Sequence, residues 1–201
     1  MSFSMEHTVI LRQPLSVVYP VLSDLKQIER VQLLNPNTNR FTLLPSDHVT
    51  LPPGGLAPLV SHNYTPEMNS LPWLREMDAV SYAESGETIR TGKIVERVKF
   101  KVEGTVSLLY GLVNSPLSMT CAQIVDDDAR MVVFEGKVPA TGSEELKLRT
   151  FEEVDLEDGT KGTQVRETVW VNGPIAVLYL VRVIGPGIQK RILEAYHKLF
   201  E

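Results

Sequence analysis

Residues 146–171 read LKLRTFEEVDLEDGTKGTQVRETVWV. Two runs rich in β-branched and apolar residues, Leu146 to Val154 and Thr163 to Val171, flank Glu157-Asp158-Gly159. Asp-Gly between two such runs is a strong signal for a tight hairpin turn. Working back along the chain, Met119 to Val125 and Met131 to Val138 flank Asp126-Asp127-Asp128 in the same way. Two successive hairpins predict an antiparallel meander. The segment before them alternates with period two: Ile94, Glu96, Val98, Phe100 and Val102 against Val95, Arg97, Lys99, Lys101 and Glu103. That pattern predicts a strand with one largely buried face and one wet, mostly basic face.

Working forward, Asn172-Gly173-Pro174 ends the meander and the period becomes helical. Ile188, Ile192, Tyr196 and Leu199 share one stripe, with Lys190, Arg191, Glu194 and Lys198 away from it. Gly185-Pro186-Gly187 is expected to bend or break this helix, since proline removes a backbone donor and glycine relaxes the backbone. At the other end, Thr8 to Leu11 reads as a short strand. Leu15, Val18, Val21, Leu22, Leu25 and Ile28 then recur at helical spacing, predicting a helix from about Pro14 to Val31, kinked at Pro20 and ended by Asn35-Pro36-Asn37. Between them, Phe41 to Leu44, Val49 to Leu51 and Leu56 to Tyr64 are strand-like, with Pro52-Pro53-Gly54-Gly55 as a turn. Ser70 is placed to cap a short helix near Pro72. The class is α+β. No repeat, linker or composition shift divides the chain, so residues 1–201 are expected to form a single domain.

Composition narrows function by exclusion. With 43% hydrophobic and 22% charged residues the chain has an ordinary globular balance. At this length roughly 70% of the surface is buried on folding. Twenty basic against 25 acidic residues give a net charge of -5, the wrong sign for a nucleic-acid footprint. Cys121 is the only cysteine, so no disulfide forms within the chain and a reducing compartment is expected. The stretch from Met1 to Gln13 lacks the apolar run of a signal peptide. Ile175 to Ile184 is too short for the roughly 20 residues that span a bilayer. A cytoplasmic protein without stable membrane insertion, as monomer or homodimer, is the expectation.

No Gly-x-Ser-x-Gly elbow and no Walker or Rossmann glycine pattern occurs. His7, His48, His62 and His197 lack metal-ligand spacing, so neither metal nor other cofactor is expected. The acidic triplet at 126–128 reads as a solvated turn, and Cys121 as a packed thiol. What remains are charges on apolar faces. Val165, Glu167, Val169 and Val171 share one side of a strand; if the valines face inward, so does Glu167. A carboxylate on a desolvated wall is suited to proton transfer near neutral pH, whereas pairing with Arg149 on the neighbouring strand would keep it ionised. Glu135 shares a face with Val133 and Lys137, opposite the more apolar Val132, Phe134 and Val138. His62 and Tyr64 fall on one side of a strand-like segment and form a candidate polar pair. Tyr64, Trp73, Tyr82 and Tyr110, with Phe100, supply aromatic surface and hydroxyl donors for orienting an apolar ligand.

The opening His7-Thr8-Val9-Ile10, then Pro14-Leu15-Ser16-Val17-Val18-Tyr19, resembles the first strand and helix of the START-like, polyketide cyclase-type superfamily (SRPBCC, helix-grip). Leu148-Arg149-Thr150-Phe151-Glu152-Glu153-Val154, the Asp158-Gly159 turn and Thr163-Gln164-Val165-Arg166-Glu167-Thr168 resemble its last hairpin. The match covers both ends of the chain and leaves residues 38–90 unaligned. It implies a curved antiparallel sheet wrapped around a long C-terminal helix, with an internal cavity. It further implies binding of a hydrophobic, polyketide- or terpenoid-like small molecule, by a cofactor-independent cyclase or isomerase of natural-product biosynthesis, or by a non-catalytic carrier or sensor. The candidate catalytic set is Glu167, Arg149 and His62. The candidate ligand-binding set is Tyr64, Trp73, Tyr82, Phe100, Tyr110 and Glu135. An interaction module using the sheet edge or the acidic tips is the remaining class.

Overall fold

A computed structural model describes residues 2–51, 55–56, 93–108 and 113–201 of the 201. Leu56 to Tyr64 as a strand, the turn at 52–55 and the helix near Pro72 lie wholly or mostly outside these residues.

Seven strands form one antiparallel sheet: β1 (Ser2–Leu11), β2 (Thr38–Thr50), β3 (Ile94–Leu108), β4 (Val113–Asp126), β5 (Met131–Val138), β6 (Ser143–Asp155) and β7 (Lys161–Asn172). Their order is β1-β7-β6-β5-β4-β3-β2, so β1 and β2 are the edges. Both hairpins read from the sequence are there, β4 against β5 and β6 against β7. The curved sheet holds a long C-terminal helix, α3 (Ile175–Glu194), continued by a 3₁₀ turn, Ala195–Leu199. This is the α+β helix-grip architecture.

Several elements depart from expectation. β1 begins at Ser2 rather than Thr8, and alternates outward Ser4, Glu6 and Thr8 with inward Phe3, Met5, His7 and Val9 while pairing with β7 over ten positions. The helix expected from Pro14 to Val31 is three pieces: α1 (Leu15–Ser23), a 3₁₀ turn (Leu25–Gln27) and α2 (Ile28–Gln32). Pro20 sits inside α1 without ending it. The break comes at Asp24, which is extended and whose side chain accepts from the Lys26 amide at 2.9 Å, offering the backbone an alternative to the helix. The segments at 41–44 and 49–51 are not separate strands. β2 runs through both, with a register shift between Leu44 and Asp47. Pro45 falls within the shift, one of the places where a strand tolerates a missing donor.

α3 also differs: it runs unbroken through Gly185-Pro186-Gly187. At Gly185 an added Cβ would lie 3.2 Å from Met5 Cε, so the residue lets α3 approach β1 closely. The supposedly wet basic face of β3 is another correction. Arg97 is buried, and its Nε and Nη2 bind the two Asp47 oxygens at 2.7 and 2.6 Å, with Lys99 Nζ at 2.8 Å from Asp47 Oδ2.

Both faces of the sheet carry buried apolar clusters. On the helix side Leu11, Val18, Leu22, Val132, Phe151, Val165, Leu193 and Tyr196 pack together. On the opposite side Val49, Val95, Ile124, Met131, Val133, Leu146 and Leu148 do. Two buried faces explain why β5, Met131 to Gly136, is buried at six successive positions.

Candidate functional site

Residues paired across an antiparallel sheet point to the same face, so the register assigns the inner, helix-facing wall. Glu167 pairs with Arg149 and His7, and Arg149 with Val132. Lys147 lies between Phe134 and Val169, while Phe134 pairs on its other side with Gln123. Phe100 pairs with Cys121, and Cys121 with Gly136. The inner face therefore carries Glu145, Lys147, Arg149 and Phe151 from β6, Glu167 from β7, Gln123 and Cys121 from β4 and Phe100 from β3.

Glu167 and Arg149, expected as neighbours, are joined at the heart of this wall. Arg149 Nε donates to Glu167 Oε1 at 2.7 Å, its Nη1 to the Leu22 carbonyl at 3.0 Å, and its Nη2 to the Tyr196 hydroxyl at 2.5 Å. Tyr196 in turn donates to Glu167 Oε1 at 2.5 Å, and Gln189 Nε2 donates to Glu167 Oε2. The guanidinium also lies 5.0 Å from the Tyr196 ring centroid. Burial alone would raise the Glu167 pKa, but Arg149 and the other donors outweigh it and hold the carboxyl below its ordinary value. Burial would likewise lower that of Arg149, yet Tyr196 and Glu167 leave it raised. Burial pushes the Tyr196 phenol well up, so it remains a donor. The cluster is a satisfied ion pair fastening β6 and β7 to α1, α3 and the terminal turn.

Beyond it the wall becomes aromatic. Phe41 and Phe100 are stacked with centroids 5.1 Å apart, and Phe100 and Phe134 lie 5.8 Å apart. Lys147 Nζ rests 4.8 Å from the Phe134 centroid. Glu145, partly exposed, has its pKa raised by burial and by the Glu167 charge, against the opposing effect of Lys147. Cys121 is buried, and burial raises its thiol pKa well above the ordinary value, leaving a poor nucleophile.

Phe100 thus joins the inner wall as expected. Glu135 does not: it pairs with Ala122 and Leu146 on the outer face and is buried there, on the side of the sheet away from Glu167. His62, Tyr64, Trp73, Tyr82 and Tyr110 lie outside the described residues. Tyr196, Gln189, Glu145, Lys147 and Gln123 escaped the sequence reading as site residues. Alternation runs along 145–151, but Leu146 and Leu148 are more apolar than Glu145, Lys147 and Arg149 and take the inward assignment on hydrophobicity alone. Among the described residues no group of three His, Cys, Asp or Glu is placed to hold a metal ion, and no helix is long and apolar enough to cross a membrane.

No protein-family model matches the sequence, and no match is found among the curated proteins. Solved structures do share the fold. The Zhui aromatase/cyclase from Streptomyces sp. R1128 superposes with a TM-score of 0.56 at 11% identity, covering 98% of this chain and 93% of that one. A point mutant of Thalictrum flavum norcoclaurine synthase, in complex with a transition-state analogue, gives a TM-score of 0.53 at 10% identity over 99% of this chain and 94% of that one. The resemblance read from the sequence holds at the level of fold.

Proposed function

We propose that this chain is one domain that binds a hydrophobic, polyketide- or terpenoid-like molecule between the inner face of its sheet and α3, and acts on it as a cofactor-independent cyclase or isomerase. The observation carrying this reading is the aromatic and aliphatic end of the inner wall, Phe41, Phe100, Phe134 and Val102, lying beside the polar groups Gln123, Glu145, Lys147, Arg149 and Glu167. Such a surface holds an apolar ligand and orients it through isolated hydrogen bonds. Orientation supplies much of the acceleration for an intramolecular reaction, so no conspicuous catalytic motif is required.

Within this reading the roles of the charged residues divide. Glu167 and Arg149 form the polar floor: their hydrogen bonds are taken up by protein partners, so they orient neighbouring elements and shape the local field. Proton transfer belongs to Glu145, whose partly exposed carboxyl is driven towards the neutral form by burial. A saturated Glu167–Arg149 pair is also what a carrier or sensor would contain, and that is the second reading.

Incubation with a linear poly-β-keto thioester separates the two. The enzyme reading expects cyclised product at least tenfold faster than without protein, with Glu145→Gln losing most of that rate. Saturable binding with unchanged substrate would decide for the carrier.

A further inference from the structure

One row across the sheet stands apart from the ion-pair cluster: Val98, Gln123, Phe134, Lys147 and Val169 lie side by side on β3 to β7. Lys147 is 9% exposed and Gln123 4%. Among the described residues neither side chain makes a hydrogen bond or an ion pair, although each points to the helix side. The ammonium has three donors. The Phe134 face and the nearby carboxylates of Glu145 and Glu167 stabilise that charge, but they leave its donors without a hydrogen-bond acceptor. Glu145, two residues along the same face, is about 6.6 Å away at the backbone and forms no ion pair with it. Gln123 and Lys147 belong to strands on either side of β5, about 10 Å apart at the backbone, with the Phe134 ring between them.

Two donors on the same face, Lys147 over the Phe134 ring and Gln123 paired with Phe134 on the next strand, have no hydrogen-bond acceptor among the described residues and define a place for an acceptor from outside. We propose that Lys147 and Gln123 hold an anionic or enolate oxygen of the ligand over the Phe134 ring, so that the ligand is an apolar molecule with one acidic oxygen-bearing end. This rests on the reading of the inner wall as a hydrophobic ligand site, and it adds which end enters and what that end must be. Lys147 supplies the charge, and the Gln123 amide donates the second, directional hydrogen bond. The apolar remainder lies along Phe100, Val102 and Phe41.

Dodecanoate and dodecan-1-ol, equal in chain length, separate charge recognition from apolar contact when titrated by calorimetry. Wild type should bind the carboxylate at least tenfold more tightly than the alcohol. Lys147→Met, which keeps an unbranched stem against Phe134, should abolish that preference while leaving alcohol affinity within twofold. Lys147→Arg should retain it, and Gln123→Leu should weaken the carboxylate several-fold. Thermal unfolding of each variant checks that the fold persists. Equal binding of dodecanoate by wild type and Lys147→Met, or parallel loss of both ligands, would overturn the assignment and leave the apolar site standing. Failure of wild type to bind either molecule would sink both the assignment and the site.

Discussion

Glu167 has no exposed surface yet remains ionised, because Arg149, Tyr196 and Gln189 replace the water it has lost. Removing one partner of such a pair is severe, since the other is left charged in the interior; losses of roughly 3–5 kcal/mol are typical. Glu167→Ala should therefore destabilise by about that amount in urea unfolding, while Glu157→Ala at the exposed turn stays within about 0.5 kcal/mol. A loss below about 1 kcal/mol at Glu167 would mean that the pair does not fasten the helix to the sheet. Glu167 was legible because it interrupts a run of inward valines, and Arg149 because it stands on the adjacent strand. Tyr196 and Gln189 were not legible as its partners, since they arrive from a helix that local sequence cannot dock. Gln123 and Lys147 were hidden for another reason. Their neighbours Ala122, Ile124, Leu146 and Leu148 are apolar and also buried, on the other face, so alternation could not say which set looks at the helix.

At the scale of elements, hairpins tied to strong turns were read correctly, and the ends and interruptions of elements were not. Asp158-Gly159 specifies a turn through its own backbone preferences. Asp24 ends α1 through a local bond to the Lys26 amide that apolar spacing does not reveal, whereas α3 continues through Gly185-Pro186-Gly187 where Gly185 packs against Met5 of β1. The edge strand β2 also relies on contacts from another strand. Its register shift at Pro45 is followed at once by Asp47, which Arg97 and Lys99 bind from β3. The hydrogen bonds of Arg97, against the opposing effect of burial, bring the Asp47 pKa down to about 2. A carboxyl whose folded pKa is depressed contributes stability that is full above the unfolded value and is lost as pH falls through the folded one. The window here is roughly pH 4 to 2, and the contribution is on the order of 2 kcal/mol. The stability gap between wild type and Asp47→Asn should narrow by roughly 1–2 kcal/mol from pH 6 to pH 2.5 in urea titrations. A gap independent of pH would show that the pair does not hold β2 to β3.

For the whole molecule, the antiparallel meander was legible in its hairpins and the gripping helix in the family resemblance, whereas the pairing of β1 with β7 that sets the sheet order was not. The functional assignment needs more, because the fold is shared at about one identical residue in ten and the proposed ligand-facing wall is built from isolated side chains on β2 to β7. The central claim is that the inner face, and not the equally apolar outer one, receives a small hydrophobic molecule. Methyl NMR during a dodecanoate titration tests it directly. Saturable shifts should appear at Val98, Val102 and Met119 on the inner face, while Ile124, Val133, Leu146 and Leu148 on the outer face stay in place. Shifts confined to the outer methyls, or none that saturate, would contradict the account.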